Sequence, residues 1–359
     1  MALFKPSWMI YGATGYTGRL IAAAAKAEGH NIILAGRDAA KLKPLADGLK
    51  VNFRVFDMST RDEIDQGLAG IRLVLNCAGP FSLTASTLAQ ACIRTGAHYL
   101  DIAGEIADHR SVERLGERAR EAGVMLLPGV GFGILPSDCL ALYLKKKLPE
   151  AVTLTLAFSS GRSVSHGTLE TLLESLQQGG LVRRSGNLVA AEPASESREI
   201  DFGPGGKQQT VLFPWRADVL SAGVSTDIPH IMSFAAVPAA LRLVLKYRKH
   251  FESGFLRSLL QRYAASIPAG PKASARAKRK SWVYGEVVNE QGARARAVVE
   301  GPDPYDFTTI AAMAAVDRSL TGSVPDGFVT PAQLLGTAPL FKLLGVKLYD
   351  LPNERVSGK

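Results

Sequence analysis

Through about the first 150 residues, short apolar runs alternate with longer stretches in which apolar positions recur at helical spacing. The apolar runs predict strands and the longer stretches predict helices. The predicted strands are Met9–Gly12, Asn31–Ala35, Val51–Phe56, Arg72–Cys77, His98–Ile102 and Val124–Leu127. The predicted helices are Tyr16–Glu28, Ala39–Leu49, Arg61–Leu68, Ser82–Arg94 and Ala107–Glu121. This alternation is typical of βαβ units, and it predicts a Rossmann domain with a doubly wound parallel sheet.

The pattern changes after Pro149. Residues Val152–Phe158 alternate as a strand, and Asn187–Trp215 contains short strand-like runs broken by a glycine-rich turn. Ser281–Val288 and Ala293–Val299 flank Gly292 and predict a hairpin. The further predicted helices are Gly167–Gln178, Ala235–Ala265, Phe307–Leu320 and Pro331–Leu335.

Composition fits a globular protein of two domains, since 47% of the 359 residues are hydrophobic and 21% are charged. The three cysteines are widely spaced, which favours a reducing compartment and no zinc site. The chain starts without a secretory signal pattern and has no run of 18 apolar residues. We therefore expect a soluble, cytoplasmic protein.

Positive charge is concentrated in one segment. Arg242–Lys280 contains eleven Lys and Arg but a single acid, so its net charge is +10. The whole chain has a net charge of +9, so the remaining residues together carry about −1. A charge this local does not indicate a nucleic-acid-binding surface over the whole protein. The segment leaves three readings open: an acidic carrier protein docks there, an anionic membrane is contacted peripherally, or the charge is only solvated surface.

A glycine-rich motif lies between the first predicted strand and the first predicted helix. It comprises Gly12, Ala13, Thr14, Gly15, Tyr16, Thr17 and Gly18. Glycines in this place allow a tight turn, a close approach of the backbone to a pyrophosphate, and close packing of the helix on the strand. The helix N-terminus then presents N–H groups to the phosphates. The motif therefore predicts a dinucleotide site, although its GxxGxxG spacing also occurs in plain structural turns.

The end of the second predicted strand indicates which dinucleotide is bound. NAD sites usually place an acidic residue there, to bind the ribose 2′-OH. This chain has Arg37 followed by Asp38. The Arg37 guanidinium can bind a 2′-phosphate, whereas Asp38 can serve as the N-cap of the next helix. We therefore predict NADP as the cofactor.

Two further strand ends supply cofactor candidates. Asp57 follows the third strand, where a contact with the adenine and a capping role are equally open. Ala78, Gly79 and Pro80 follow the fourth strand. Gly79 would let the backbone approach the cofactor, and Pro80 could line the nicotinamide site, while a simple strand-to-helix turn explains the same residues.

Several motifs together resemble the saccharopine dehydrogenase-like oxidoreductases, closest to their trans-acting enoyl reductase branch. The matching segments are Y-G-A-T-G-Y-T-G (11–18), N-C-A-G-P-F (76–81), G-A-H-Y-L-D-I-A-G-E (96–105), G-V-G-F-G-I-L-P-S-D (129–138), S-H-G-T (165–168), S-T-D-I-P-H (225–230), the helix entry at Tyr305, and V-T-P-A-Q-L-L-G (329–336). The resemblance implies a Rossmann domain at residues 1–148, and a second α/β domain of mixed sheet at 149–304. It also implies C-terminal helices, within 305–359, that return to the first domain.

The same resemblance implies an NADP-dependent oxidoreductase. The expected activity is NADPH-dependent reduction of an activated C=C bond in an enoyl thioester or lipid-like substrate, free or carrier-bound. Two alternatives stay open: C=N reduction in amino-acid metabolism, and a catalytically idle, lipid-associated Rossmann protein. A homodimer is one oligomeric state that the sequence leaves open.

Three residues are catalytic candidates. Tyr99 could donate a proton and Asp101 could orient it, because both lie at the end of the fifth strand. Asp101 could equally be a capping residue. His166 opens a predicted helix and could contact substrate or pyrophosphate. No group of His, Cys and Asp has the spacing of a metal site, so we expect no metal.

Overall fold

Within the part of the chain that the structure describes, each of two units contains one sheet. The computed structural model describes residues 7–160, 179–246, 270–338 and 342–352. The first unit joins residues 1–135 to 305–339, and the second joins 136–304 to 340–359.

The sheet of the first unit has seven parallel strands in the order β15-β6-β5-β4-β1-β2-β3. The strands are β1 (Trp8–Tyr11), β2 (Ile32–Gly36), β3 (Asn52–Val55), β4 (Leu73–Asn76), β5 (His98–Asp101), β6 (Met125–Leu127) and β15 (Gly327–Phe328). The helices are α1 (Tyr16–Ala27), α2 (Ala39–Leu49), α3 (Arg61–Leu68), α4 (Phe81–Thr95), α5 (Ile106–Glu113) and α6 (Gly116–Glu121), together with Pro304–Leu320 and Pro331–Leu335.

The central strands of this sheet are apolar on both faces because helices cover both sides. All four residues of β1 are buried, and so are all four of β4. Met9 lies opposite Ile33 on one side and Val74 on the other. The predicted Rossmann domain is therefore confirmed, with the strand order reversing on either side of β1. Ligands bind at such a reversal in open parallel sheets, beyond the carboxyl ends of the strands.

The second unit contains a nine-stranded mixed sheet. Its main order is β10-β11-β12-β7-β13-β14-β16, with β8 paired to β12 and β9 to β8. The strands are β7 (Thr153–Ser159), β8 (Gly180–Arg184), β9 (Asn187–Ala191), β10 (Ser197–Asp201), β11 (Lys207–Leu212), β12 (His230–Ala235), β13 (Lys280–Val288), β14 (Arg294–Pro302) and β16 (Lys347–Leu351). The helices are α7 (Leu135–Lys147), Asp218–Thr226, Ala239–Lys246 and Ala273–Arg276.

The mixed character of this sheet confirms the predicted second α/β domain. β12 pairs with β7 in parallel, whereas β13 pairs with β7 and β14 in antiparallel fashion. The predicted hairpin around Gly292 is the β13–β14 pair. The glycine-rich turn at 203–206 connects β10 to β11.

The structure corrects the predicted division of the chain at two points. Helix α7 groups with the second unit, so the boundary lies at residue 135 instead of 148. The helices Pro304–Leu320 and Pro331–Leu335 group with the first unit as expected, but Lys347–Leu351 is an edge strand of the second sheet, where it pairs with β14. Main-chain pairing with a distant strand therefore decides where this terminal segment lies.

Within the described ranges, no helix is both long and apolar enough to span a membrane.

Candidate functional site

The glycine-rich turn between β1 and α1 has a shape that side chains would destroy. Gly12 has φ +79°, and a Cβ there would lie 2.6 Å from the backbone nitrogen of Ala78. A Cβ at Gly18 would lie 2.4 Å from the carbonyl oxygen of Gly12. Gly12 is thus required for the approach of the β4–α4 loop, and Gly18 for the approach of α1 to the turn.

Gly15 differs from the other two glycines because it is exposed and a Cβ there would meet no atom closer than 3.3 Å. A Cβ there would have only the Gly12 and Cys77 carbonyl oxygens nearby, at 3.3 and 4.0 Å. Gly15 is the N-cap of α1 and gives it no side-chain cap. A capless helix N-terminus behind a glycine turn is the arrangement that binds a pyrophosphate, so the residues present fit a dinucleotide.

The structure distinguishes the roles of the two residues after β2. Asp38 is the N-cap of α2, accepting a hydrogen bond from the Lys41 backbone nitrogen at 3.1 Å and pairing with Lys41 Nζ at 3.0 Å. Its carboxylate is therefore used locally. Arg37 is exposed at the carboxyl edge of the sheet. This arrangement fits a 2′-phosphate and leaves Asp38 as a cap.

Asp57 lies close enough to Arg37 for their charges to interact. A hydrogen bond from Ser59 holds the pKa of Asp57 below its usual range, and the charge of Arg37 adds to the effect. Burial raises the pKa of Tyr11. The charge of Asp57 raises this pKa further, whereas the charge of Arg37 lowers it. The N-cap of α3 is Thr60. Asp57 is therefore not the helix cap, and it lies with Arg37 at the end of the site that suits the adenosine half of the dinucleotide.

The segment after β4 is held against the glycine turn by a buried amide. Asn76 Oδ1 accepts from the Ala78 backbone nitrogen at 3.0 Å, and Asn76 Nδ2 donates to Thr84 Oγ1 at 3.1 Å. Thr84 Oγ1 donates to the Ala78 carbonyl oxygen at 2.7 Å. Gly79 and Pro80, joined by a cis peptide bond, are exposed beyond it. The structure thus brings the predicted residues Ala78, Gly79 and Pro80 beside the Gly12 turn.

Tyr99 and Asp101 are buried at the carboxyl end of β5 instead of facing an open site. Both are 0% exposed. Tyr99 donates to Asp101 Oδ2 at 2.8 Å and accepts from Asn76 Nδ2 at 3.3 Å. Asp101 Oδ1 accepts from the backbone nitrogens of Ala103 and Gly129, each at 2.9 Å. These bonds hold the loops that follow β4, β5 and β6, so the structure supports a positioning role for both groups, and their predicted catalytic roles stay predictions.

His109 belongs to the same buried region, and sequence reasoning missed it. It is 0% exposed, and its Nε2 lies 3.1 Å from the Ala103 carbonyl oxygen. A Cβ at Gly129 would lie 2.7 Å from the ring. Burial raises the pKa of Asp101, and the charge of His109 opposes that shift. A lone histidine in an amphipathic helix gives no indication from sequence that its side chain is buried next to Asp101.

The remaining motif residues fall in the second unit. Asp138 accepts a hydrogen bond from Ser225 Oγ at 2.7 Å, so the P-S-D and S-T-D motifs meet in a partly buried contact. Asp218 pairs with Arg216 at 2.6 Å and accepts from Ser137. His166, the third catalytic candidate, lies outside the described residues.

One described group has metal-ligand geometry: Glu28, His30 and Asp317, whose ligand atoms lie within 4.8 Å of one another. His30 Nδ1 accepts from Trp8 Nε1 at 3.3 Å, and His30 Nε2 lies 3.2 Å from Asp317. A neutral ring with Nδ1 as acceptor carries its proton on Nε2. The nitrogen that faces the carboxylates therefore has no lone pair to give a metal, and the group acts as a hydrogen-bonded contact.

Comparison with known proteins identifies the first domain. Residues 8–127 match the family described as the saccharopine dehydrogenase NADP binding domain. The match confirms both the resemblance seen in the sequence and NADP as the cofactor. A solved structure shares the fold: an apo saccharopine dehydrogenase (L-Glu forming) from Saccharomyces cerevisiae aligns over 97% of this chain and 100% of that chain, with TM-score 0.62 and 12% identity.

Curated relatives extend the similarity beyond the first domain. A trans-acting enoyl reductase of Mycobacterium tuberculosis (strain ATCC 25618 / H37Rv) is 24% identical over 94% of this chain and 95% of its own length. A saccharopine dehydrogenase-like oxidoreductase of Mus musculus is 23% identical over 52% of this chain and 49% of its own. A lipid droplet localized protein of Caenorhabditis elegans is 27% identical over 46% and 43%. The aligned part thus spans about half the length of these last two relatives.

Proposed function

Because its first domain is a saccharopine dehydrogenase-type NADP-binding domain, we propose that the chain is an NADPH-dependent reductase of an activated C=C bond. The substrate class is an enoyl thioester or a lipid-like enoyl compound. The observation that carries the cofactor half of this proposal is the capless N-terminus of α1 behind the Gly12–Gly18 turn. Arg37 at the end of β2 supports a cofactor with a 2′-phosphate.

The choice of acceptor is supported by the extent of the enoyl reductase alignment, which includes both units of this chain. The alternative is C=N reduction of a saccharopine-type substrate. Such a substrate carries several carboxylates and needs clustered arginines. In β8, the Arg183 guanidinium packs against Gly223, since a Cβ at Gly223 would lie 2.5 Å from Arg183 Nη1. The neighbouring Arg184 is exposed. This pair gives the C=N reading little support.

The chain's own residues bind and orient the reactants. The α1 N-terminus binds the pyrophosphate, Arg37 binds the 2′-phosphate, and the loop Ala78–Pro80 lines the site beside the turn. NADPH, when bound, supplies a hydride to the β-carbon of the acceptor. The buried bonds among Asn76, Tyr99 and Asp101 hold the loops around the site. Protein groups must then stabilise the enolate oxygen and deliver one proton.

A direct test is NADPH oxidation by the purified protein with a 2-enoyl thioester, compared with an imine acceptor at equal concentration. We expect turnover with the thioester and little with the imine. Turnover with the imine alone would favour the saccharopine-type reaction. NADPH binding without turnover on either acceptor would favour a catalytically idle, lipid-associated protein.

A further inference from the structure

The helix Pro304–Leu320 runs alongside α1 in the first unit. Near its start, the rings of Tyr305 and Tyr16 meet at an angle of 72°, with centroids 4.7 Å apart. Near its end, Asp317 contacts His30, just beyond α1, at 3.2 Å. The two helices are therefore parallel, and both begin at the carboxyl edge of the sheet, where the glycine turn lies.

A second set of contacts fixes the first turn of this helix. The Phe132 backbone nitrogen donates to Thr308 Oγ1 at 3.1 Å, and the rings of Phe132 and Phe307 lie 5.5 Å apart. A Cβ at Gly131 would lie 3.0 Å from Thr308 Cγ2, so the loop after β6 packs tightly there. The helix start is thus fixed on two sides, with Tyr305 against Tyr16 of the glycine turn and Phe307 and Thr308 against the loop after β6.

The described part of the first unit contains four tyrosines, and burial separates them. Tyr11 and Tyr99 are buried, and their hydroxyls donate to Phe56 and Asp101 inside the domain. Tyr16 and Tyr305 are half-buried at the carboxyl edge. Tyr16 belongs to the first turn of α1, which faces the phosphates. Tyr305 is therefore the phenol placed next to the cofactor site without being part of the phosphate-binding turn.

We propose that Tyr305 is the proton donor of the reduction, a role that rests on the proposed enoyl reductase function. Hydride addition at the β-carbon converts the C=C bond into an enolate, whose α-carbon then requires a proton. The Tyr305 O–H bond breaks, its proton forms the new C–H bond at the α-carbon, and the electron pair stays on the phenolate. A proton from the solvent restores the phenol, so each turnover consumes one NADPH and one solvent proton.

The test is Tyr305→Phe, which keeps the ring contact with Tyr16 and removes only the hydroxyl. We expect kcat with a 2-enoyl thioester to fall on the order of 10²-fold or more. The NADPH dissociation constant, measured by calorimetry without acceptor, and the melting temperature should be unchanged. Tyr349→Phe is the matched control, since Tyr349 is half-buried on the edge strand β16 of the second sheet. It should behave as wild type in all three measurements.

Each other outcome overturns the assignment in a recognisable way. A Tyr305→Phe variant that turns over as fast as wild type removes Tyr305 from the chemistry while leaving the enoyl reductase function intact. A large loss of NADPH affinity or of melting temperature would instead make Tyr305 a cofactor-binding or structural residue. If the wild type binds NADPH but does not reduce the thioester, the proposed function fails and the proton-donor role fails with it.

Discussion

Arg37 shows how much of the cofactor choice depends on one residue. It stands where NAD-specific sites carry an acid, and the acid that follows it, Asp38, is used to cap α2. A positively charged and exposed guanidinium at this point suits a phosphate at the ribose 2′ position. We therefore propose that Arg37 carries most of the preference for NADP.

We predict that Arg37→Ala removes most of the preference for NADPH over NADH. The lost charge-assisted hydrogen bonds should weaken NADPH binding by about 1.5–3 kcal/mol. NADH affinity should stay the same, and Arg37→Lys should fall between wild type and Arg37→Ala. Calorimetry with both cofactors measures these values. Equal affinity of the wild type for NADPH and NADH would contradict this role.

Because of the Asp101 carboxyl group, the stability contributed by the buried network depends on pH. Burial raises the pKa of its carboxyl group, whereas the Tyr99 hydrogen bond lowers it. A carboxyl with a raised pKa binds protons more readily in the folded state than in the unfolded state. Stability is therefore lost as the pH rises from the usual carboxyl pKa of about 3.9 towards the raised value. Tyr99 reduces that loss because its hydroxyl stabilises the carboxylate.

We predict that Tyr99→Phe lowers the free energy of unfolding by about 1–3 kcal/mol at neutral pH, since it leaves a buried carboxylate oxygen without its donor. The deficit should shrink in acid, where Asp101 is protonated in both proteins. Urea unfolding of both proteins at neutral and acidic pH measures the difference. A deficit that is the same at both pH values would show that the hydroxyl does not act through the carboxylate.

At the level of elements, the β1–α1 turn contains one glycine that we assign to cofactor binding and another that is needed for packing. Gly15 is exposed at the helix N-terminus, whereas Gly18 is packed against the carbonyl oxygen of Gly12. The same substitution at these two glycines should therefore have different consequences.

We predict that Gly15→Val abolishes NADPH binding while the melting temperature stays near that of wild type, because the side chain occupies the space of the pyrophosphate. Gly18→Val should lose both, because its Cβ would lie 2.4 Å from a backbone oxygen. Circular dichroism melting and calorimetry distinguish the two variants. NADPH binding by folded Gly15→Val at wild-type affinity would exclude this turn as the phosphate site.

The central strands of the first sheet were predictable because they are short apolar runs between helices, and burial on both faces selects such runs. The strands Gly327–Phe328 and Lys347–Leu351 were not. The first has two residues, and the second carries exposed Lys347 and Asp350 on a sheet edge. Both strands form by pairing with a strand that is distant in sequence, and the local pattern of apolar and polar residues does not predict such pairing.

The cofactor residues were predictable for a similar reason, since the glycine spacing and the strand ends are local features. The position of Tyr99 was not. A strand end indicates that a side chain is near the carboxyl edge, but not which loops close over it. Here the backbone nitrogens of Ala103 and Gly129 bind Asp101 and enclose the network. Tyr305 is distant in sequence from the glycine turn, so only the fold brings it there.

For the molecule as a whole, the basic segment Arg242–Lys280 remains a proposed docking surface. In its described parts, Arg279 lies 3.8 Å from Asp303 and Lys280 lies 3.3 Å from Glu300, so two of its charges are partly compensated. Lys272 and Lys278 are exposed. The helix Ala239–Lys246 buries Leu245 and exposes Leu243.

We predict that Lys272→Gln with Lys278→Gln reduces activity on vesicle-presented or carrier-bound enoyl substrate at low salt, with a smaller salt dependence than wild type. Activity on a small free thioester should be unchanged. The matched control is Lys207→Gln with Lys347→Gln, which removes the same charge from exposed positions on the second sheet. If both double variants act on all substrate forms as wild type does, the segment is only solvated surface.

Hydride transfer from NADPH to the enoyl C=C bond, the reaction that we propose for this chain, can be followed directly. Wild-type protein is incubated with a 2-enoyl thioester and NADPH carrying deuterium on the transferring face of C4, and the saturated product is analysed by mass spectrometry and NMR. We expect one deuterium per product molecule, located at the β-carbon. Cofactor that stays reduced, or product without deuterium at the β-carbon, would contradict it.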